Sequence, residues 1–237
     1  MIELTDDRTH EGLREAKLAQ AAVAQEQHGH VADTNTGISN RKLLMWVFLA
    51  SDCLFFGSFI ATYLVYRNES LVGPYPNEIL DIPLTSVSTF VLLMSSLAMV
   101  LALNYVQKDK LGLARFWLLA VVVLGLGFLG FQVFEFMTFV DEGLTIHQNL
   151  FGTTFFILTG FHGLHVFVGV LWLLGMFFAH SRGALTSRSA EDLEMAGLYW
   201  HFVDIVWIVI FTVIYLIGYS DGEGVKTIEH AATLIGG

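Results

Sequence analysis

"FFILTGFHGLHVFVGVLWLLGMFF", Phe155 to Phe178, decides the fold. Apart from Thr159 and two histidines its residues are aliphatic, aromatic or small. A run of about 18 or more such residues, rising about 1.5 Å each as a helix, crosses the ~30 Å hydrocarbon core of a bilayer. His162 and His165 nevertheless sit near its middle. A titratable ring is costly in hydrocarbon, so each must face another helix, a partner or water.

Four further stretches have the same character. With Thr153–Ala179, which contains the quoted run, the spans are Leu43–Tyr66, Leu84–Val106, Leu113–Val140 and Tyr199–Tyr219. The chain is 54% hydrophobic and only 14% charged, with a mean hydropathy of +0.62. The expectation is an all-α integral membrane protein, a five-transmembrane-helix bundle over residues 41–220. A polar tail, 1–40, precedes it and a short tail, 221–237, follows; no cleavable signal is expected, because the first apolar run is too long for one. Within the first tail, Glu11–Gln27 is rich in helix formers and reads as a weak surface helix. The loop Arg67–Pro83 holds all three prolines and reads as ordered turns.

Charge sets the expected orientation. Placing the N-terminus in the cytoplasm and the C-terminus outside puts ten of the twelve Lys and Arg residues inside, leaving only Arg67 and Lys226 outside. A net charge of −10 argues against nucleic acid, which needs a basic patch. Cys53, the single cysteine, precludes an internal disulfide or a multi-cysteine metal site. Small residues such as "GLGFLG", Gly125–Gly130, let helices approach closely where lipid supplies no hydrophobic drive.

Six ionisable residues fall within or near the spans: Asp52, Glu135, His162, His165, His201 and Asp204. His162 and His165, three apart, lie about 60° apart on one helix face, thinned by Gly160 and Gly163. They read either as interhelical hydrogen-bonding groups or as a metal or haem ligand pair completed by His201 and Asp204. Spacing puts that second pair near the start of the fifth span, at a different depth. Trp200, Asp204, Trp207 and Phe211 form one stripe, either an interfacial aromatic belt with a satisfied carboxylate or a contact with a partner subunit. Gln132 and Glu135 share a face of the third span. Asp52, about ten residues into the first, reads as a proton relay or as structural glue.

Together these residues carry a resemblance. "TTFFILTGFHGLHVFVGVLW" and "EMAGLYWHFVDIVWIVIFTVIYLIG", with "ASDCLFFGSFIATY" and "GFQVFEF", resemble subunit III of the haem-copper terminal oxidases over about Arg41 to Gly218. The resemblance implies a subunit with no catalytic residue and no haem, copper or other metal of its own. It implies partners, oxidase subunits I and II, that hold the haem and copper, reduce oxygen and pump protons. Helices in this family form a V whose cleft binds phospholipid; the two N-terminal spans of the seven-span form are lacking here. The family's subunit is also thought to protect the active site during turnover and to assist proton uptake.

Residue by residue, Asp52 stands where the family usually carries the carbodiimide-reactive glutamate of its S-E motif, one methylene longer. Gln132 and Glu135 match its Q-x-x-E, His162 and His165 its two histidines, and Glu194, His201 and Asp204 its E-x6-H-x2-D. Arg41 and Lys42 match basic residues suited to lipid headgroups; His28 and His30 resemble a histidine-bearing tract. On this reading the buried histidines hydrogen-bond neighbouring spans, with Glu135 and Asp204 as candidate partners. The implied setting is a bacterial inner (plasma) membrane and a cytochrome c oxidase that receives electrons from cytochrome c through the complex. A quinol oxidase and a nitric oxide reductase are the related alternatives. A free-standing membrane metalloenzyme is the rival of another class.

Overall fold

The computed structural model describes residues 40–66, 80–147, 150–181 and 187–217. The tails, with the helix expected at Glu11–Gln27 and the histidines His28 and His30, lie outside these, as does most of the loop Arg67–Pro83. Packing divides the chain at Val47/Phe48; the described part of the first unit is residues 40–47. All contacts below are within the second.

Among the described residues five helices are long and apolar enough to cross a membrane. They are α1 (Asn40–Tyr66), α2 (Ile82–Gln107), α3 (Leu111–Asp141), α4 (Leu150–Ser181) and α5 (Ser187–Ile210), the last continued by a π-helical stretch, Phe211–Ile217. Each is apolar on nearly every side, as a helix must be when lipid replaces water around it. The fifth begins earlier than its apolar run suggests: its spanning segment is Ala190–Ile217. Glu191, Asp192 and Glu194 end the run of hydrophobicity without ending the helix, since backbone hydrogen bonding does not require apolar side chains.

Local chemistry sets the ends. Asp81 caps α2, its carboxylate accepting from the Leu84 N–H at 3.1 Å. Pro83 follows in the first turn, where a missing N–H costs nothing. α2 and α3 both close with paired backbone bonds around a left-handed residue. At the first, Lys110 N–H donates to the Tyr105 carbonyl and Asp109 N–H to that of Val106, with Asp109 at φ 55°. At the second, Leu144 and Gly143 repeat the pattern, and Gly143 takes φ 92° without a Cβ penalty.

α2 packs on α3, α3 on α4, α4 on α5, and α5 back on α2. α1 lies against α4 through rings: Phe59 and Phe55 on Phe161 at 5.3 and 5.5 Å, and Phe56 on His165 at 4.9 Å. Only 17% of α1's spanning window is buried, against 33–44% for the others. That leaves most of α1 free to face lipid or another chain.

Candidate functional site

α2 carries hydroxyls at helical spacing, and α5 reads them in antiparallel order. The Trp207 indole N–H donates to Thr89 Oγ1 at 2.9 Å, and that of Trp200 to Ser95 Oγ at 3.0 Å. The Ser96 hydroxyl pairs with His201 Nδ1 at 2.7 Å. Both tryptophans are buried, at 1% and 2% exposure. Their indole N–H groups, expected in an interfacial belt or at a partner contact, are met here by hydroxyls inside the bundle. Glycines make the room, because a Cβ at Gly125 or Gly169 would collide with the Trp200 ring.

His201 and Asp204 are not set apart by depth from the α4 histidines. With the span running from Ala190 to Ile217, Asp204 falls near its middle. The Trp207 ring stacks on His162 at 4.9 Å, and the Tyr199 hydroxyl donates to the His165 carbonyl at 2.9 Å. Yet the four do not converge. Among the described residues no group of three His, Cys, Asp or Glu side chains could hold a metal ion.

The expected polar network resolves into separate clusters. Glu135, buried on α3, accepts from Thr85 Oγ1 at 2.7 Å, and the Tyr215 hydroxyl, on the π-helical stretch, adjoins the same carboxyl. Gln132 donates through Nε2 to the Thr159 carbonyl at 2.7 Å; a Cβ on Gly163 would lie 2.6 Å from its Oε1. His162 is fully buried in a cage of Trp207, Phe128 and Phe56, and neither ring nitrogen has a hydrogen-bond partner. Bonds from His162 to Glu135 or Asp204, expected from the sequence, are thus not formed; a helix face fixes direction but not which neighbour is met. Glu194 lies half-buried two turns before His201 on α5, and Arg41 and Lys42 stand in the first turn of α1.

His165 points the other way, toward α1. Its Nδ1 donates to the Phe161 carbonyl at 2.7 Å, which leaves Nε2 facing Asp52 Oδ2 at 3.8 Å. The partners of this arrangement that sequence reasoning passed over are Tyr199, Tyr215 and the α2 hydroxyls. Thr85, Ser88, Thr89, Ser95 and Ser96 fall on one face of α2 at steps of three, four and seven, a periodicity that could have found them.

Residues 19–219 match the sequence model of the family described as cytochrome c oxidase subunit III. The chain is 38% identical over 193 residues to the probable quinol oxidase subunit 3 of Staphylococcus haemolyticus, an alignment covering 78% of this chain and 96% of that one. It is 37% identical over 180 residues to the cytochrome c oxidase subunit 3 of Bacillus subtilis, covering 76% and 87%. To the quinol oxidase subunit 3 of the same organism it is 35% identical over 173 residues, covering 73% and 85%. The chain belongs to the cytochrome c oxidase subunit III family.

Proposed function

We propose that this chain is the non-catalytic third subunit of a proton-pumping, oxygen-reducing haem-copper oxidase of the bacterial plasma membrane. It flanks subunits I and II, which hold the haem and copper, steadies subunit I, binds phospholipid and assists proton uptake. Membership of the family supports the subunit role. The single observation that supports the proton role is the Asp52–His165 approach. With Nδ1–H committed to a carbonyl, Nε2 of a neutral ring presents only a lone pair. A carboxylate oxygen 3.8 Å away is drawn to it only when a proton resides on one of the two. The pair is therefore built to carry one movable proton at the α1–α4 contact.

Arg41 and Lys42 suit lipid phosphates, since basic residues at a membrane surface attract anionic headgroups. The exposed flank of α1 offers the surface for subunit I or lipid. Cytochrome c is the proposed donor. Quinol is the second reading, favoured by the relatives named as quinol oxidase subunits; assaying the purified complex with each donor separates them.

Asp52→Asn in the assembled oxidase tests the proton role. The expected result is an unchanged haem spectrum and full retention of the chain, with slower proton uptake and fewer turnovers before inactivation. Unaltered uptake and lifetime would reduce the chain to a lipid-binding scaffold. Haem or stoichiometric metal on the isolated chain would overturn the non-catalytic reading.

A further inference from the structure

Tyr199 joins three helices at one point. It stands on α5, 4% exposed, and its hydroxyl donates to the His165 carbonyl of α4 at 2.9 Å. In a helix that carbonyl takes the N–H four residues on, here Gly169, and its second lone pair remains for the tyrosine. A side chain at that position would lean back over the carbonyl. Glycine leaves it open, and a Cβ there would stand 3.1 Å from Tyr199 Cε1. The face of the same ring stacks on Phe48 of α1, with centroids 6.4 Å and planes 27° apart. Phe48 lies one turn before Asp52 on the same face. Among the described residues, α1's other ring contacts between helices begin at Phe55, after Asp52, and go to α4. Tyr199 thus holds the turn of α1 that precedes Asp52, and its hydroxyl bond fixes how far along α4 the ring rests.

We propose that Tyr199 is a positioning residue for the Asp52–His165 pair: its hydroxyl and its ring together keep α1 close enough to α4 for the two side chains to meet. The inference rests on the reading of that pair as the holder of a movable proton. Bond and stack act on the two helices that carry the pair, on α4 at His165 itself and on α1 one turn from Asp52. With Nδ1 held by the Phe161 carbonyl, the His165 ring cannot follow a retreating carboxylate without breaking that bond. The 3.8 Å approach therefore depends on where α1 stands. One hydrogen bond of ordinary net worth biases an equilibrium by about two- to tenfold. Losing the tyrosine hydroxyl should depopulate the close arrangement by that factor.

Labelling of Asp52 by a hydrophobic carbodiimide in the intact oxidase complex, read from the mass of its peptide, tests the positioning. The reagent adds to a carboxyl that carries its own proton, so a carboxylate paired with an imidazolium reacts slowly. Tyr199→Phe keeps the ring and drops the hydroxyl; it should raise the labelling rate about two- to tenfold, and His165→Phe at least as much. Should Tyr199→Phe fail to assemble, Phe48→Leu is read in the same way. Equal labelling in variant and wild type, none in either included, would overturn the proposal. Proton uptake should slow by about the same factor in Tyr199→Phe, and adding Tyr199→Phe to Asp52→Asn should slow it no further. A further loss in the double variant would make Tyr199 a general brace and overturn its action through Asp52. Normal uptake in Asp52→Asn would sink the proton reading alone, since the labelling rate reports the approach of the two side chains in either case.

Discussion

Replacing Gly125 by alanine should loosen the junction of α3, α4 and α5. The Trp200 indole there is anchored at Nε1 by Ser95 and is only 1% exposed. A Cβ on Gly125 would stand 2.8 Å from Cη2 of that ring and 2.9 Å from Cγ2 of Val170. Carbon atoms prefer about 3.5–4.0 Å, so the ring would have to move by more than half an ångström. A ring only 1% exposed has little free space to move into. Overpacking of a filled core costs about 1–3 kcal/mol, and a buried ring tethered through Nε1 belongs to the upper part of that range. Alanine returns up to about 1 kcal/mol of helix propensity. The net loss of about 1–2 kcal/mol corresponds to a midpoint lower by about 2–8 °C for a chain of this size. The assay is heat-induced release of the chain from the solubilised oxidase complex. Gly160→Ala is the control, because nothing lies within 4 Å of its Cβ position. Equal midpoints for Gly125→Ala and Gly160→Ala would refute the wedge. Trp200→Phe, which removes the outer ring, should rescue Gly125→Ala with a coupling of about 0.5–3 kcal/mol.

The same release assay reads the other fasteners. Trp207→Phe keeps a ring on His162 but drops the bond to Thr89, and should cost about 0.6–1.7 kcal/mol, the usual worth of a bond between spans. Thr85→Val should cost about 1–3 kcal/mol by leaving the buried Glu135 without its donor, whereas Thr85→Ser should stay near wild type. His162→Leu should leave the haem content per complex unchanged while losing about 0.5–1.5 kcal/mol of ring contact. Loss of the haem spectrum with the chain retained would contradict that expectation.

The spans were legible because one rule, apolar length, fixes them without reference to anything else. Leu84–Val106 sits inside Ile82–Gln107, and Leu113–Val140 inside Leu111–Asp141. Where the rule is only sufficient, it failed: α5 extends through charged residues back to Ser187, and depth assigned from the apolar run put Asp204 too near an end. The π-helical stretch had no signature in "FTVIYLI", although it brings Tyr215 to Glu135. Partners were the least legible. His162 was expected to meet a carboxylate, but the rotation of α5 puts Trp207 there instead, and no pattern within α4 encodes that rotation.

Lipid explains why such partners matter. Between apolar helices in hydrocarbon, burial gives almost no drive to associate, so packing and hydrogen bonds must do it. The α2–α5 seam has both: two indole–hydroxyl bonds, a serine–imidazole bond, and an indole seated between glycines. α1 meets α4 through ring contacts and the 3.8 Å approach of Asp52 to His165. Ring contacts between helices add little where lipid tails compete for the same surface. The position of α1 thus depends more than that of any other helix on what packs against its open side. A neighbour on that face would set how closely Asp52 approaches His165, and with it whether the two share a proton. Asp52 thus sits on the helix that this chain buries least.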